Sequence, residues 1–355
     1  MLNRRTIIAA LAVCLAPLLF AQERTGFEER NDFAMGTKMR ILLVGDVYSE
    51  PVNRTVAEAH RLEEMLTTFR PDSLVSRLNR RDPALPTVQV SEETWYKIPH
   101  ELYGILRECQ RMHDYTEGCF DPTVHSLIEA WGFGTDKPRE PSKRRLRAAL
   151  AGVGMKNVLV EDNPSRVRFL HPATKLNFGG IGKGYAMDRA AAMLKDGGFT
   201  SGVIEFGRSF LVWGLTRSNP YFITAPWPDN PQSTVTIATP GAAFSTSSQS
   251  EQYFKSGGKK HGHILDPKTG LPVENEVLSA TVIATDAASA DALSTGLFVM
   301  GFERARALLI QLEGVDAVLF HRDGDSGDVN MFVTPALKNN LLHLEKAPLH
   351  AARTP

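Results

Sequence analysis

The chain of 355 residues has no net charge, because 40 lysines and arginines balance 40 aspartates and glutamates. Such a balance gives no global pull toward nucleic acid or acidic lipid. Cysteine is scarce, with three residues, and the two that lie outside the N-terminal stretch make no zinc site by themselves. Internal repeats and low-complexity tracts are absent. Also missing is either common phosphate-loop pattern, although "LNFGGIGKGYAMD" (Leu176 to Asp188) packs four glycines and a lysine into a short run. The dinucleotide pattern G-x-G-x-x-G needs glycine in place of Tyr185. The Walker pattern needs glycine in place of Asn177 and a hydroxyl residue in place of Gly184.

What is present is ordinary for a globular protein with a full core: 43% apolar and 23% charged residues. The N-terminus stands apart. Arg4 and Arg5 precede an uncharged stretch, "TIIAALAVCLAPLLFA", that ends in a small residue at Ala21 and gives way to the polar "QERTGFEER". This is the pattern of a secretory signal peptide over residues 1–21, and the stretch, with Pro17 inside it, is short for a spanning helix. A retained N-terminal membrane anchor is the alternative. Cys14 lies in "LAVC", but Val13 is bulky for a lipoprotein box. An exported protein meets an oxidising compartment, so Cys109 and Cys119 are free to pair. Cys109 also fits as a buried thiol on the helical stripe of Leu102, Ile105, Leu106 and Met112.

Periodicity predicts a strand at Lys38–Gly45, a helix opened by Ser49 and Pro51, and a second helix from Pro99 to before Gly118. It then predicts a short basic helix at Ser142–Leu150, a hairpin at Lys156–Leu170, and a helix from Tyr185 to Asp196 after the glycine loop. Further strands follow at 202–207, 209–214, 221–225, 233–239 and 278–284. Helices at 289–300 and 302–313 and strands at 315–321 and 329–333 close the chain. Strands and helices come in clusters, which predicts an α+β fold of antiparallel sheets flanked by helices. One domain is expected over residues 30–337, followed by a loose tail, 338–355.

Several stretches can carry chemistry. The glycine loop lets backbone approach a ligand closely, the next helix N-terminus favours an anion, and Lys183 adds a positive charge; a tight turn with a solvated lysine is the bland alternative. In "ATDAASADALSTGLFVMG", Asp291 and Thr295 are four apart and share a helical face. A carboxylate and a hydroxyl completed by carbonyls suit a hard cation such as Mg2+, or else Asp291 only complements the helix dipole. His261 and His263, at i and i+2 in "KKHGHILDPKTGLP", would share one face of a strand. His263 fits as an acid/base residue or as a structural histidine. Asp121, before Pro122, reads as a helix cap. "STSSQSEQYF" (Ser245 to Phe254) is hydroxyl-rich and either lines a polar ligand or forms a loop.

Taken together and in this order, "MGTKMRI", "DSLVSRLN", "FDPTVHSLIEAWGFG", "LNFGGIGKGYAMDRA", "STSSQSEQYF", "HILDPKTGLPV" and "VIATDAASADALSTGLFVMG" resemble the ApbE family of FAD:protein FMN transferases. The resemblance runs from about Phe33 to Pro335. It implies an ApbE or T-fold-like architecture and Mg2+-dependent transfer of FMN from FAD to a threonine of an exported or membrane redox protein, with release of AMP. Its partners are FAD and that acceptor protein; no nucleic acid, and peripheral or no membrane contact, is expected. Export to the periplasm agrees with the leader. The metal ligands it implies are the Gly180 carbonyl, Asp291, Ser294 and Thr295. FAD contacts carry over onto Met35, Phe69, Cys119, Phe120, Asp121, Asn177, Lys183 and Leu265. His263 and Asp291 stand at the catalytic positions.

The chain departs from the family pattern at Asn177 (usually aspartate), Phe69 (commonly tyrosine), Arg208 and Ser209 (usually glycine, then aspartate or asparagine) and Ser248 (glycine). Two alternatives use the same residues: a flavin-binding protein without transfer, and a Mg2+-dependent FAD pyrophosphatase with water as the nucleophile.

Overall fold

The computed structural model describes residues 27–228, 230–248, 253–256 and 258–345. The expected leader, part of the hydroxyl-rich segment (249–252) and the last ten residues lie outside the described residues.

The chain opens with a hairpin, β1 (Phe27–Ala34) and β2 (Thr37–Val44), whose two-residue turn is Met35–Gly36. Both turn residues have positive φ, 55° and 71°. That is the twist a two-residue hairpin requires, and glycine meets it without strain. Two helices follow, α1 (Glu50–Leu66) and α2 (Leu74–Asn79), then strands β3 (Thr87–Val90) and β4 (Glu93–Lys97). Next come α3 (His100–Tyr115), α4 (His125–Trp131) and α5 (Lys143–Leu150), and the hairpin β5 (Val158–Glu161) and β6 (Arg166–Phe169). The glycine loop leads into α6 (Gly182–Asp196).

Strands then dominate: β7 (Gly202–Phe206), β8 (Ser209–Trp213), β9 (Tyr221–Trp227), β10 (Asn230–Thr239), β11 (Ala242–Ser248), β12 (Tyr253–Ser256), β13 (Lys259–Gly262) and β14 (Val277–Ala284). The chain ends in α7 (Ala287–Met300), α8 (Phe302–Gln311), β15 (Asp316–Arg322), β16 (Val329–Val333) and β17 (Leu341–Glu345).

The frame is one eight-stranded sheet in the order β1-β2-β7-β8-β11-β14-β15-β16, antiparallel throughout. Side chains alternate across it. Met39, Ile41, Ile204, Phe206, Leu211, Ala280, Val282 and Leu319 face the main core, which α1, α6 and α7 cover. Val203, Val212, Phe244, Ile283, Val318 and Phe320 face the other way, into a second core closed by β9 and β10. The α+β expectation of antiparallel sheets flanked by helices therefore holds.

Four local expectations need correction. α6 starts at Gly182 rather than Tyr185, so Lys183 lies in its first turn. Ser245–Ser248, for which a loop is one of the two alternatives above, belongs to β11 in the middle of the large sheet. The segment 338–345, read as loose tail, supplies β17, which pairs with β10. Asp121 caps no helix: α4 begins at His125, and the carboxylate instead accepts from Thr123 two residues on, the Asx turn that aspartate favours.

Candidate active site

α7 is buried on nearly all sides, as expected of a helix apolar all round. It crosses α6 at very close range. A Cβ on Gly184 would stand 2.1 Å from the Ala287 carbonyl oxygen, and one on Gly296 would stand 2.4 Å from Thr116 Cγ2. Only glycine permits either approach.

This packing brings Asp291, 3% exposed, to the start of α6. Its Oδ2 accepts from the Gly184 backbone N–H at 3.1 Å, its Oδ1 accepts from Ser245 Oγ at 3.0 Å, and Lys183 Nζ lies 3.3 Å from Oδ1. The same ammonium donates to the Gly179 carbonyl at 3.1 Å. α6 has no side-chain cap of its own at Ile181; Asp291 supplies one from another helix. A buried carboxylate is tolerable here because a cation and two further donors meet it.

Around this centre lies a chain of hydroxyls. Ser209 Oγ is 2.9 Å from Ser245 Oγ, and Ser247 Oγ is 2.9 Å from Ser294 Oγ and 3.3 Å from Thr295 Oγ1. Gly180 is close by: a Cβ there would stand 3.2 Å from Thr295 Oγ1 and 3.3 Å from the Phe120 ring. The loop and the helix thus converge, and the bare Gly180 backbone leaves room beside Thr295.

Next to it opens a cleft of about 140 Å³ lined by Met35, Phe69, Asn177, Gly179 and Lys183, among others. Phe69 is 76% exposed, an apolar ring at its edge. Asn177 Oδ1 accepts from the Gly179 N–H at 2.8 Å and fixes the loop. An aspartate would make the same contact, so the asparagine preserves the turn while removing a charge.

The other expected residues are distributed differently. Cys119, Phe120 and Asp121 are buried, with Cys119 and Phe120 in the main core. The Asp121 carboxylate is committed to Thr123 and to His113, 3.4 Å away, and this partner raises the His113 imidazole above its ordinary value. Leu265 is buried with Leu127, Ala130 and Trp131 in a satellite cluster. β13 ends at Gly262, so His261 lies in the strand and half-buried His263 beyond it; the one-face pairing expected of them is not formed. His261 packs under Trp131 and Phe254, and neither of its ring nitrogens has a hydrogen-bond partner. Asp266 turns the chain as "DPKTG" predicts, accepting from Lys268 N–H at 2.8 Å. Cys109 and Cys119 are both free, and burial pushes both thiols up.

The sequence marks Ser245 and Ser247 only as members of a hydroxyl-rich segment and Ser209 only as a departure from the family pattern; it assigns no role to Asp188. Among the described residues no cluster of three or more His, Cys, Asp or Glu is poised for a metal. The site offers instead one carboxylate, hydroxyls and backbone carbonyls, hard oxygen donors of the kind Mg2+ prefers.

The model of the ApbE family matches residues 35–319. A protein of Vibrio cholerae named FAD:protein FMN transferase is 31% identical over 252 residues, covering 70% of this chain and 72% of its own. One of Escherichia coli with the same name is 27% identical over 288 residues, covering 79% and 78%. Among solved structures, the ApbE protein from Thermotoga maritima matches with a TM-score of 0.76 at 29% identity, over 89% of this chain and 100% of that one. The apo flavinyl transferase ApbE of Pseudomonas stutzeri matches with a TM-score of 0.76 at 27% identity, over 89% and 96%.

Proposed function

The chain belongs to the ApbE family, and from that premise we propose that it is a Mg2+-dependent enzyme transferring FMN from FAD to a threonine hydroxyl of an exported or membrane redox protein, with release of AMP. The observation that carries this reading is the meeting of the glycine loop and α7 on one buried carboxylate, Asp291, beside an open cleft.

The donor set fits Mg2+: the Gly180 carbonyl, Asp291, Ser294 and Thr295 would hold it. Bound there, the ion would neutralise pyrophosphate oxygens and make AMP a better leaving group. The chain's own groups support the same charge. Lys183 brings a cation to the mouth of the loop, and the positive end of the α6 dipole adds to it. Phe69 offers a face for an aromatic ring of FAD, and Met35 closes the cleft opposite Gly182, its Cε 3.2 Å from where a Cβ would sit. In the transfer, the threonine oxygen bonds to the FMN phosphorus, the P–O bond to AMP breaks, and the threonine proton passes to a base. His263, at the catalytic position that the family resemblance implies, takes that proton in this scheme. Export rests on the leader pattern of residues 1–21. No helix among the described residues is long and apolar enough to cross a membrane.

The test is to incubate purified protein with FAD, Mg2+ and a threonine-bearing acceptor, following nucleotides by chromatography and the acceptor by mass spectrometry. Acceptor carrying FMN together with free AMP is the expected result. Free FMN and AMP with unmodified acceptor would make the protein a pyrophosphatase, and intact FAD would make it a carrier.

A further inference from the structure

Asp188, on α6, lies outside the cleft, yet its carboxylate touches the helix that carries Asp291. Oδ1 accepts from Ala287 N–H at 2.8 Å and Oδ2 from Ala288 N–H at 2.9 Å. These are two of the amides that the start of any helix leaves without an internal partner. The next, Ser289 N–H, goes to Asp286 at 2.7 Å. The two helices therefore cap each other. α7 lends Asp291 to the Gly184 amide at the start of α6, and α6 lends Asp188 to the first amides of α7, with Gly184 pressed against the Ala287 carbonyl between them. Asp291 stands one turn beyond the pinned amides, so a rotation or slide of α7 on α6 would carry it away from Lys183 and the Gly184 amide.

We infer that Asp188 is a positioning residue: by holding the first turn of α7 on α6 it fixes the direction in which Asp291 presents its carboxylate to the metal. This inference rests on the metal reading above. Groups that orient a metal ligand without touching the ion commonly control affinity about 10–100-fold.

The experiment compares wild type, Asp188→Asn and Asp291→Asn, each saturated with FAD and freed of excess. Mn2+ is titrated as the probe and followed by electron paramagnetic resonance, alongside melting temperature and FAD affinity. Asparagine keeps the shape but turns an NH2 toward an amide N–H. The expected result is Mn2+ binding weakened about tenfold or more in Asp188→Asn, with FAD affinity and a cooperative melt retained. Wild-type Mn2+ affinity in that variant overturns the inference while leaving the metal reading standing. Wild-type protein that binds no Mn2+, with Asp291→Asn behaving identically, overturns both.

Should Asp188→Asn fail to fold, Ala287→Pro reads the same contact from the other side. Position 287 is the first of the helix, where proline is accommodated, and Asp286 before it is already extended (φ −127°, ψ 152°). Loss of that N–H, with the proline ring carbon in its place against the Asp188 carboxylate, should weaken Mn2+ binding in the same direction, and unchanged binding overturns the inference.

Discussion

Asp291 combines a structural duty with the proposed chemical one. It neutralises Lys183 and satisfies the Gly184 amide and the Ser245 hydroxyl. Asp291→Ala should therefore reduce FMN transfer by at least about 100-fold and leave partly buried donors unpaired, at about 1–3 kcal/mol of stability. Steady-state rates at saturating Mg2+ beside a denaturation curve check this; a variant with full activity removes Asp291 from the ligand set. Phe69 lines the cleft and does different work. At 76% exposed, it adds little to the core. Phe69→Ala should leave the melting temperature in place and raise the Kd for FAD about tenfold, the stacking of one aromatic pair being about 1 kcal/mol or slightly more, while Phe69→Tyr should bind as the wild type does. Fluorescence titration distinguishes them. At this scale the sequence was informative where partners are close along the chain: Asp291 and Thr295 are one helical turn apart. It did not show the partners of Ser245 and Asp188, whose contacts with α7 span 46 and 99 positions.

At the scale of elements, the active geometry is a helix pair pressed together at glycine. Gly184→Ala would place a methyl on the Ala287 carbonyl, at 2.1 Å before relaxation, and neither backbone can yield cheaply. The expected cost is about 1–3 kcal/mol from overpacking. Because α7 must move to relieve it, transfer activity should fall more steeply than stability does. Urea denaturation and initial rates measured on one preparation decide it; a stability loss with unchanged turnover contradicts the coupling. This closeness also explains why helix boundaries were harder to read than helix existence. Ile181 carries no capping side chain, because Asp291 caps α6 from α7, so local rules placed the start at Tyr185 rather than Gly182. The hydroxyls of β11 conceal a strand in the same way: Ser245 and Ser247 face α7, where polar groups are wanted, while Phe244 faces the second core.

For the whole molecule, the buried charges joining the helices make stability depend on pH. The Asp188 carboxyl is pushed up to about 6, since burial outweighs the two amide donors that act the other way. Its ordinary value is 3.8, so the folded protein holds this proton more tightly than the unfolded chain. The resulting contribution is complete below the ordinary value and is lost as pH rises through about 6, roughly 3 kcal/mol across the window. Carboxylates held low by arginines, such as Glu58 beside Arg61, work in the opposite sense, so the quantity to measure is a difference. Wild type should gain on Asp188→Asn between pH 7 and pH 4 in urea denaturation; a gap independent of pH contradicts the assignment. The antiparallel α+β class was legible from clustered strands, but the order of the large sheet was not, because β2 pairs with β7 and β11 with β14 across long intervals.

The account stands on one spatial claim, that the Gly180 carbonyl and the Asp291 carboxylate grip a single ion against the pyrophosphate of FAD. The direct measurement is an anomalous difference map from crystals grown with FAD and Mn2+. The account predicts one peak within coordination distance of both residues and of the pyrophosphate. A well-ordered pyrophosphate with no ion between Gly180 and Asp291, or with the ion held by other residues, would contradict it.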